Sequence, residues 1–166
     1  MTDAPQQPVF ISYLLALLLL PLVYCCESTR PMAEVKDDYT FVIHPLLQNI
    51  ENNITKLLGD QGCVEIKKHL CEENNETGSI HKMVCSIPFK NPKKSMSIVK
   101  CDLRKLAINI KDSLRCHCST NEDDNESQSS CAQPHHRILS KERLCKLLNI
   151  VKNIKSCYKK LAVKNS

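Results

Sequence analysis

Residues 140–161 read SKERLCKLLNIVKNIKSCYKKL, and this stretch decides the fold. Leu144, Leu147, Leu148, Val151, Ile154, Tyr158 and Leu161 recur at three- and four-residue steps. On a helix of 3.6 residues per turn they form one apolar stripe. Ser140 suits the N-cap, and Glu142 falls in the first turn, where the helix dipole favours an anion. Lys155, Lys159 and Lys160 crowd the last turns, where it favours cations. Cys145 and Cys157 stand twelve residues apart on this helix. At 1.5 Å per residue that is about 18 Å, too far for a bond between them. Each must reach another part of the chain or stay free. The helix therefore reads as a strut with a tie near each end.

Three more helical patterns precede it. Ile43, Leu46, Leu47, Ile50, Ile54, Leu57 and Leu58 form a second stripe. Asp37 or Asp38 offers a cap for this helix, but Pro45 is tolerable in a first turn, so the expected start lies later, near His44. Gly59 suits its C-terminal stop. Residues 27–38 read as a polar arm. CVEIKKHLCEEN, 63–74, reads as a short helix, NNETG at 74–78 as a turn, and 79–94 as extended or irregular. From Ser95 to about Leu114, the residues Met96, Val99, Leu103, Leu106, Ile110 and Leu114 form a narrow stripe. Ile98, Cys101 and Ile108 fall off it. Residues 116–136 are polar and acidic, with too little apolar surface to bury, and read as a long loop.

Four single-stripe helices bury their apolar faces by packing together. The expected fold is all-α, a disulfide-tied short-chain four-helix bundle. The long connections permit overhand crossovers and an up-up-down-down order.

The compartment is legible at the other end of the chain. Residues 8–24, PVFISYLLALLLLPLVY, carry no charge. The run is short for a membrane span, contains Pro21 and lacks a basic stop-transfer cluster, so it reads as a secretory signal peptide. Val23 and Cys25 fit the −3 and −1 positions, giving a signal peptide over 1–25 and one domain over 26–166. An uncleaved signal anchor is the alternative. Cleavage removes Asp3 and no Lys or Arg, moving the net charge from +5 to +6. It also removes one of eleven cysteines and leaves an even number, a disulfide framework for an oxidising compartment. Sequons at Asn53, Asn75 and Asn125 agree with a secreted glycoprotein.

No constellation carries catalysis, and neither enzyme activity nor a cofactor is expected. Three glycines in the whole chain leave no phosphate cradle or dinucleotide turn. Cys116, His117 and Cys118 with His135 and His136 match no common zinc spacing, and the cysteines are expected oxidised. The lysine excess reads first as a solvated face and second as a weak site for sulfated glycans. With few aromatics, nucleic acid is not an expected partner. A small secreted bundle of this kind acts by presenting helix faces to receptors, an argument by class.

Three stretches carry a resemblance. RLCKLLNIVKNIKSCYKKL (143–161) opens on Leu-Cys, continues through Leu-Leu and Ile-Lys to Cys-aromatic, and ends in a basic tail. KKHLCEENNETG (67–78) runs from a basic pair and His through an aliphatic and Cys to an acidic turn ending in Gly. DYTFVIHPLLQNI (38–50) matches more loosely. Together they resemble the interleukin-7/interleukin-9 family of short-chain helical cytokines. The resemblance implies a growth factor binding a heterodimeric class I cytokine receptor. Its subunits would be an interleukin-7-type alpha receptor and the common gamma chain, signalling lymphocyte survival and proliferation. It implies bridges from Cys26 to Cys116 or Cys118, from Cys63 to Cys145 and from Cys71 to Cys157. Cys85, Cys101 and Cys131 lie outside that set, and Cys85–Cys101 is the expected extra pair.

The resemblance also implies an alpha-receptor face on the first and third helices, at Gln48, Asn52, Lys105, Ile108 and Asn109. Lys152, Tyr158 and Lys159 would contact receptor on the last. Two of these positions have a second reading. Tyr158 belongs to the apolar stripe, and periodicity makes it core. Ile108 is either an exposed anchor or lies under the long loop or a bridge from Cys101. A secreted cationic antimicrobial or lipid-binding helical protein is the alternative function, and would need its stripes free to meet lipid.

Overall fold

The computed structural model describes residues 30–60, 62–64, 71–88, 97–118, 131 and 139–164. The signal peptide, Cys26, Asn125, His135 and His136 lie outside the described residues. Among those described there are four helices and no strand. Helix α1 has an α-helical start, Met32–Asp38, a π-helical turn, Tyr39–Ile43, and an α-helical body, His44–Leu58. Helix α2 is Glu76–Cys85, α3 is Ile98–Leu114 and α4 is Lys141–Lys164.

Helix α4 follows its sequence pattern, and all seven stripe residues are buried. Its first bond runs from the Leu144 N–H to the Ser140 carbonyl. Helix α3 also follows its stripe. Val99, Leu103, Leu106, Ile110 and Leu114 are buried, and the Ser97 hydroxyl accepts the Lys100 N–H as an N-cap. Each aliphatic side chain taken from water contributes about 1.5–3 kcal/mol.

Helix α1 corrects an expectation. It does not start near His44 but at Met32, and the expected polar arm supplies a buried residue, Val35. Pro45 therefore sits inside a continuous helix. Its ring would press on the carbonyl of residue 41, and it donates no N–H. The wider π turn just before it absorbs both problems. Arg30 holds this early start. Its guanidinium bonds Asp38 at 2.6 Å, Glu34 at 3.0 Å and the Ser113 carbonyl at 3.2 Å.

Helix α2 corrects a second. Helix does not run through 71–74; it begins at Glu76, after Asn75, and occupies residues 79–85, expected to be irregular. The stripe that drives it is Ile80, Met83, Val84 and Ile87, all buried. Gly78 sits close under the Asn75 side chain, where a Cβ would lie 2.2 Å from Oδ1.

The helix directions follow from named contacts. Arg30, before α1, meets Ser113 near the end of α3, whereas Asn53, late in α1, meets Asp102, early in α3. The two helices are antiparallel. Tyr39 stacks on Tyr158, Glu51 pairs with Lys155 at 2.9 Å, and Cys63, beyond α1, bonds Cys145 near the start of α4. Helix α1 is therefore antiparallel to α4 as well.

Disulfides fix this arrangement. Cys63 bonds Cys145, and Cys71 bonds Cys157, with Cα atoms 5.6 and 5.5 Å apart. The strut is thus tied near both ends, by the pairings the resemblance implies. Cys85 is not paired with Cys101. It bonds Cys118, and Cys101 bonds Cys131. The reason is directional. Cys85 closes α2 beside the segment that follows α3, whereas Cys101 lies in the first turn of α3. Cys116 is buried and also disulfide-bonded.

Helix α3 ends on Arg115, at φ 50° and ψ 39°, with the Cys116 N–H reaching back to the Lys111 carbonyl. Glycine adopts this left-handed stop without a Cβ clash. Arg115→Gly is expected to stabilise the fold by about 1 kcal/mol, measured as a raised urea midpoint at unchanged slope.

Candidate functional site

The expected receptor residues divide into two groups. Gln48, Asn52, Lys105, Ile108, Lys152 and Lys159 are exposed, and Asn109 is half-buried with its amide donating to the Lys105 carbonyl. Tyr158 is 1% exposed and stacks on Tyr39, with ring centroids 4.7 Å apart. Burial pushes its hydroxyl pKa far up. Tyr158 belongs to the core, not to an exposed receptor face.

The exposed residues do not form one face. On α1, Glu51 marks the side toward α4, and Asn53, whose amide lies 3.5 Å from the Asp102 carboxylate, marks the side toward α3. At 100° per residue Gln48 falls roughly 60° from Glu51 and roughly 140° from Asn53. Asn52 points outward, about 100° from each. Neither turns toward α3. On α3, Lys105 and Asn109 lie within about 60° of Asp102 and border α1. Ile108 lies about 120° from Asp102 and about 20° from Cys101, on the outer face where the bridge brings Cys131. Ile108 remains 39% exposed, so that bridge covers it only in part.

The α1–α3 seam itself exposes apolar residues that the sequence reading does not assign to a receptor face. Leu57 lies one turn beyond Asn53, and Ile98 one turn before Asp102. The antiparallel run sets them across the seam from each other, and both are exposed. Spacing puts Leu57 in the core stripe, but the position of α3 leaves it exposed at the stripe's edge. Phe41 and Val42, in the π turn, are exposed too. The extra residue per turn there rotates them out of the α-helical register.

Asn53 is half-buried within α1, whereas Asn75, before α2, is exposed, its amide donating to the Glu72 carboxylate. Near the end of α4 an open groove of ≈ 560 Å³ is lined by Glu73, Glu76, Lys159, Lys160, Val163 and Lys164 among others. Glu76 is held below its ordinary carboxylate pKa, first by its own backbone N–H and then by Lys164. The groove mixes both signs and is not a uniform cationic track for sulfated glycans.

His81, Cys85 and Cys118 are the described residues whose donor atoms converge, within 4.8 Å. The two sulfurs are bonded to each other, so they offer no thiolate to a metal. Cys116 is likewise disulfide-bonded, so both cysteines flanking His117 are oxidised, as expected from the sequence. Among the described residues no helix is long and apolar enough to cross a membrane. Comparison of the chain with protein-family models, curated proteins and solved structures gives no match.

Proposed function

We propose that the protein is a secreted helical cytokine of the interleukin-7/interleukin-9 type, acting by binding a heterodimeric class I receptor. One observation carries this reading. Cys63 is bonded to Cys145 and Cys71 to Cys157, the two pairings that the resemblance implies for the last helix. In this reading the four helices run up-up-down-down, to which the antiparallel α1–α3 and α1–α4 pairs conform. The partners are an interleukin-7-type alpha receptor and the common gamma chain.

The burial pattern weighs against the antimicrobial alternative. The apolar stripes of all four helices converge on one cross-linked core and are not free to meet lipid. Saturable cell binding, blocked by soluble alpha receptor, is the expected result for the oxidised protein. Binding to anionic vesicles in place of receptor would overturn the proposal.

Interfaces concentrate their energy in a few desolvated apolar anchors. Ile108 is such a candidate on the outer face of α3. Ile108→Asp is expected to weaken alpha-receptor binding at least tenfold, about 1.4 kcal/mol, with little change in melting temperature. Normal binding by the folded variant removes Ile108 as an anchor, and unfolding shows that its buried part is structural.

A further inference from the structure

The four described disulfides differ in access. Cys145, Cys157 and Cys101 each give their bridge a buried half. The Cys85–Cys118 bridge has none: Cys85 is exposed and Cys118 half-buried. It is also the bridge with an imidazole at its sulfur. His81 sits one turn before Cys85 on α2, and its Nε2 lies 3.2 Å from Cys85 Sγ. The same Nε2 lies 3.0 Å from the His117 carbonyl oxygen. A carbonyl accepts and cannot donate, so this contact puts the proton on Nε2. That N–H stands between an oxygen and a sulfur.

We propose that Cys85–Cys118 is a thiol-exchange site, accepting a low-molecular-weight thiol of the glutathione class as a mixed disulfide on Cys118. The incoming thiolate attacks Cys118 Sγ. A new sulfur–sulfur bond forms there as the bond to Cys85 breaks, and the electron pair leaves on Cys85 Sγ. The His81 N–H donates to this departing thiolate, which then takes a proton from solvent. One disulfide is exchanged for another, with no net oxidation or reduction. Exchange runs faster when the leaving thiolate is stabilised. This geometry favours Cys85 as the leaving sulfur, because His81 lies within hydrogen-bonding distance of that one.

Opening this bridge releases a local tether and not the core. Helix α2 stays anchored by Ile80, Met83 and Val84, and buried Cys116 holds the segment after α3 through its own bridge. The exchange therefore alters the surface around residues 117 and 118 in a folded protein.

The test uses the oxidised, folded protein with reduced glutathione, followed by acid quench, alkylation and peptide mapping. Cys85 is expected to be the first free thiol and Cys118 the first adduct. Cys63–Cys145, Cys71–Cys157 and Cys101–Cys131 are expected to remain closed at that stage. His81→Ala is expected to slow adduct formation about three- to tenfold, because the leaving thiolate loses a hydrogen-bond donor. His81→Gln, which keeps an N–H donor, should recover part of the rate, with circular dichroism unchanged in both. Another bridge opening first, an adduct on Cys85, or a wild-type rate in folded His81→Ala would overturn the proposal. The mapping on the native protein decides it even where a variant fails to fold.

Discussion

Cys157→Ser is expected to destabilise the fold by about 3 kcal/mol, within the 2–5 kcal/mol typical of a lost bridge in a small secreted domain. Cys145→Ser should cost about the same. The size follows from what each bridge closes in the unfolded chain. The two pairs are separated by 86 and 82 residues, so either bridge acting alone closes a long loop. With its companion intact, each closes a much shorter one. Cys63 and Cys71 are eight residues apart, and Cys145 and Cys157 twelve. Chain entropy for a loop of that order gives about 3 kcal/mol, and a long loop gives more than 4 kcal/mol. The two losses are therefore coupled. Removing the second bridge after the first should cost about 1 kcal/mol more than removing it alone. Urea unfolding of the two single variants and the double variant measures this directly. Additive losses would show that the unfolded chain is not organised by these bridges as argued.

The parts of the fold that sequence made legible share a physical reason. Helix α4 has seven apolar residues on one stripe, a capping position at Ser140 and no competing signal. Every stripe residue is buried. Helix α3 is similar. Helix α1 was legible in its body but not its start, because Pro45 reads as a helix beginning and nothing in periodicity announces a π turn. Helix α2 is not legible because its stripe is short and its first turn holds Thr77 and Gly78, which look like turn chemistry. The Cys85 partner was not legible at all, since pairing depends on where α2 ends relative to α3, a tertiary fact.

The candidate surface was less legible than the core. Exposure of Gln48 follows from helical angle alone, whereas that of Ile108 also depends on how much the Cys101–Cys131 bridge covers. Whether two exposed residues share a face depends on which neighbour each helix edge packs against. The Glu51–Lys155 and Asn53–Asp102 contacts orient α1 between α4 and α3. With those fixed, Leu57 and Ile98 replace Gln48 and Asn52 as residues bordering the α1–α3 seam.

Tyr158 joins the two questions, because the stripe makes it core while the resemblance makes it a receptor contact. Its ring lies nearly parallel to Tyr39, at an interplanar angle of 10°, and Tyr39 in turn meets His44 edge-on at 5.6 Å. Removing the ring empties a site at the junction of α1 and α4. Tyr158→Ala is expected to cost about 3–5 kcal/mol, the range for a large aromatic truncated in a packed core. The stack with Tyr39 accounts for about 1 kcal/mol of that. The hydroxyl has the opposite sign. Neither Tyr158 Oη nor Tyr39 Oη has a hydrogen-bonding protein partner, so burial desolvates each without return. Tyr158→Phe keeps the ring and removes one such group. It should leave stability unchanged or raise it by up to about 1 kcal/mol. This makes Phe the informative substitution. An alanine variant that unfolds also loses receptor binding, whatever Tyr158 does in the native state. A phenylalanine variant that melts at or above the wild-type temperature, and recruits the gamma chain normally, is the expected result for a core residue. A folded Phe variant that loses gamma-chain recruitment, or an Ala variant that keeps its melting temperature and loses it, would place Tyr158 at the receptor.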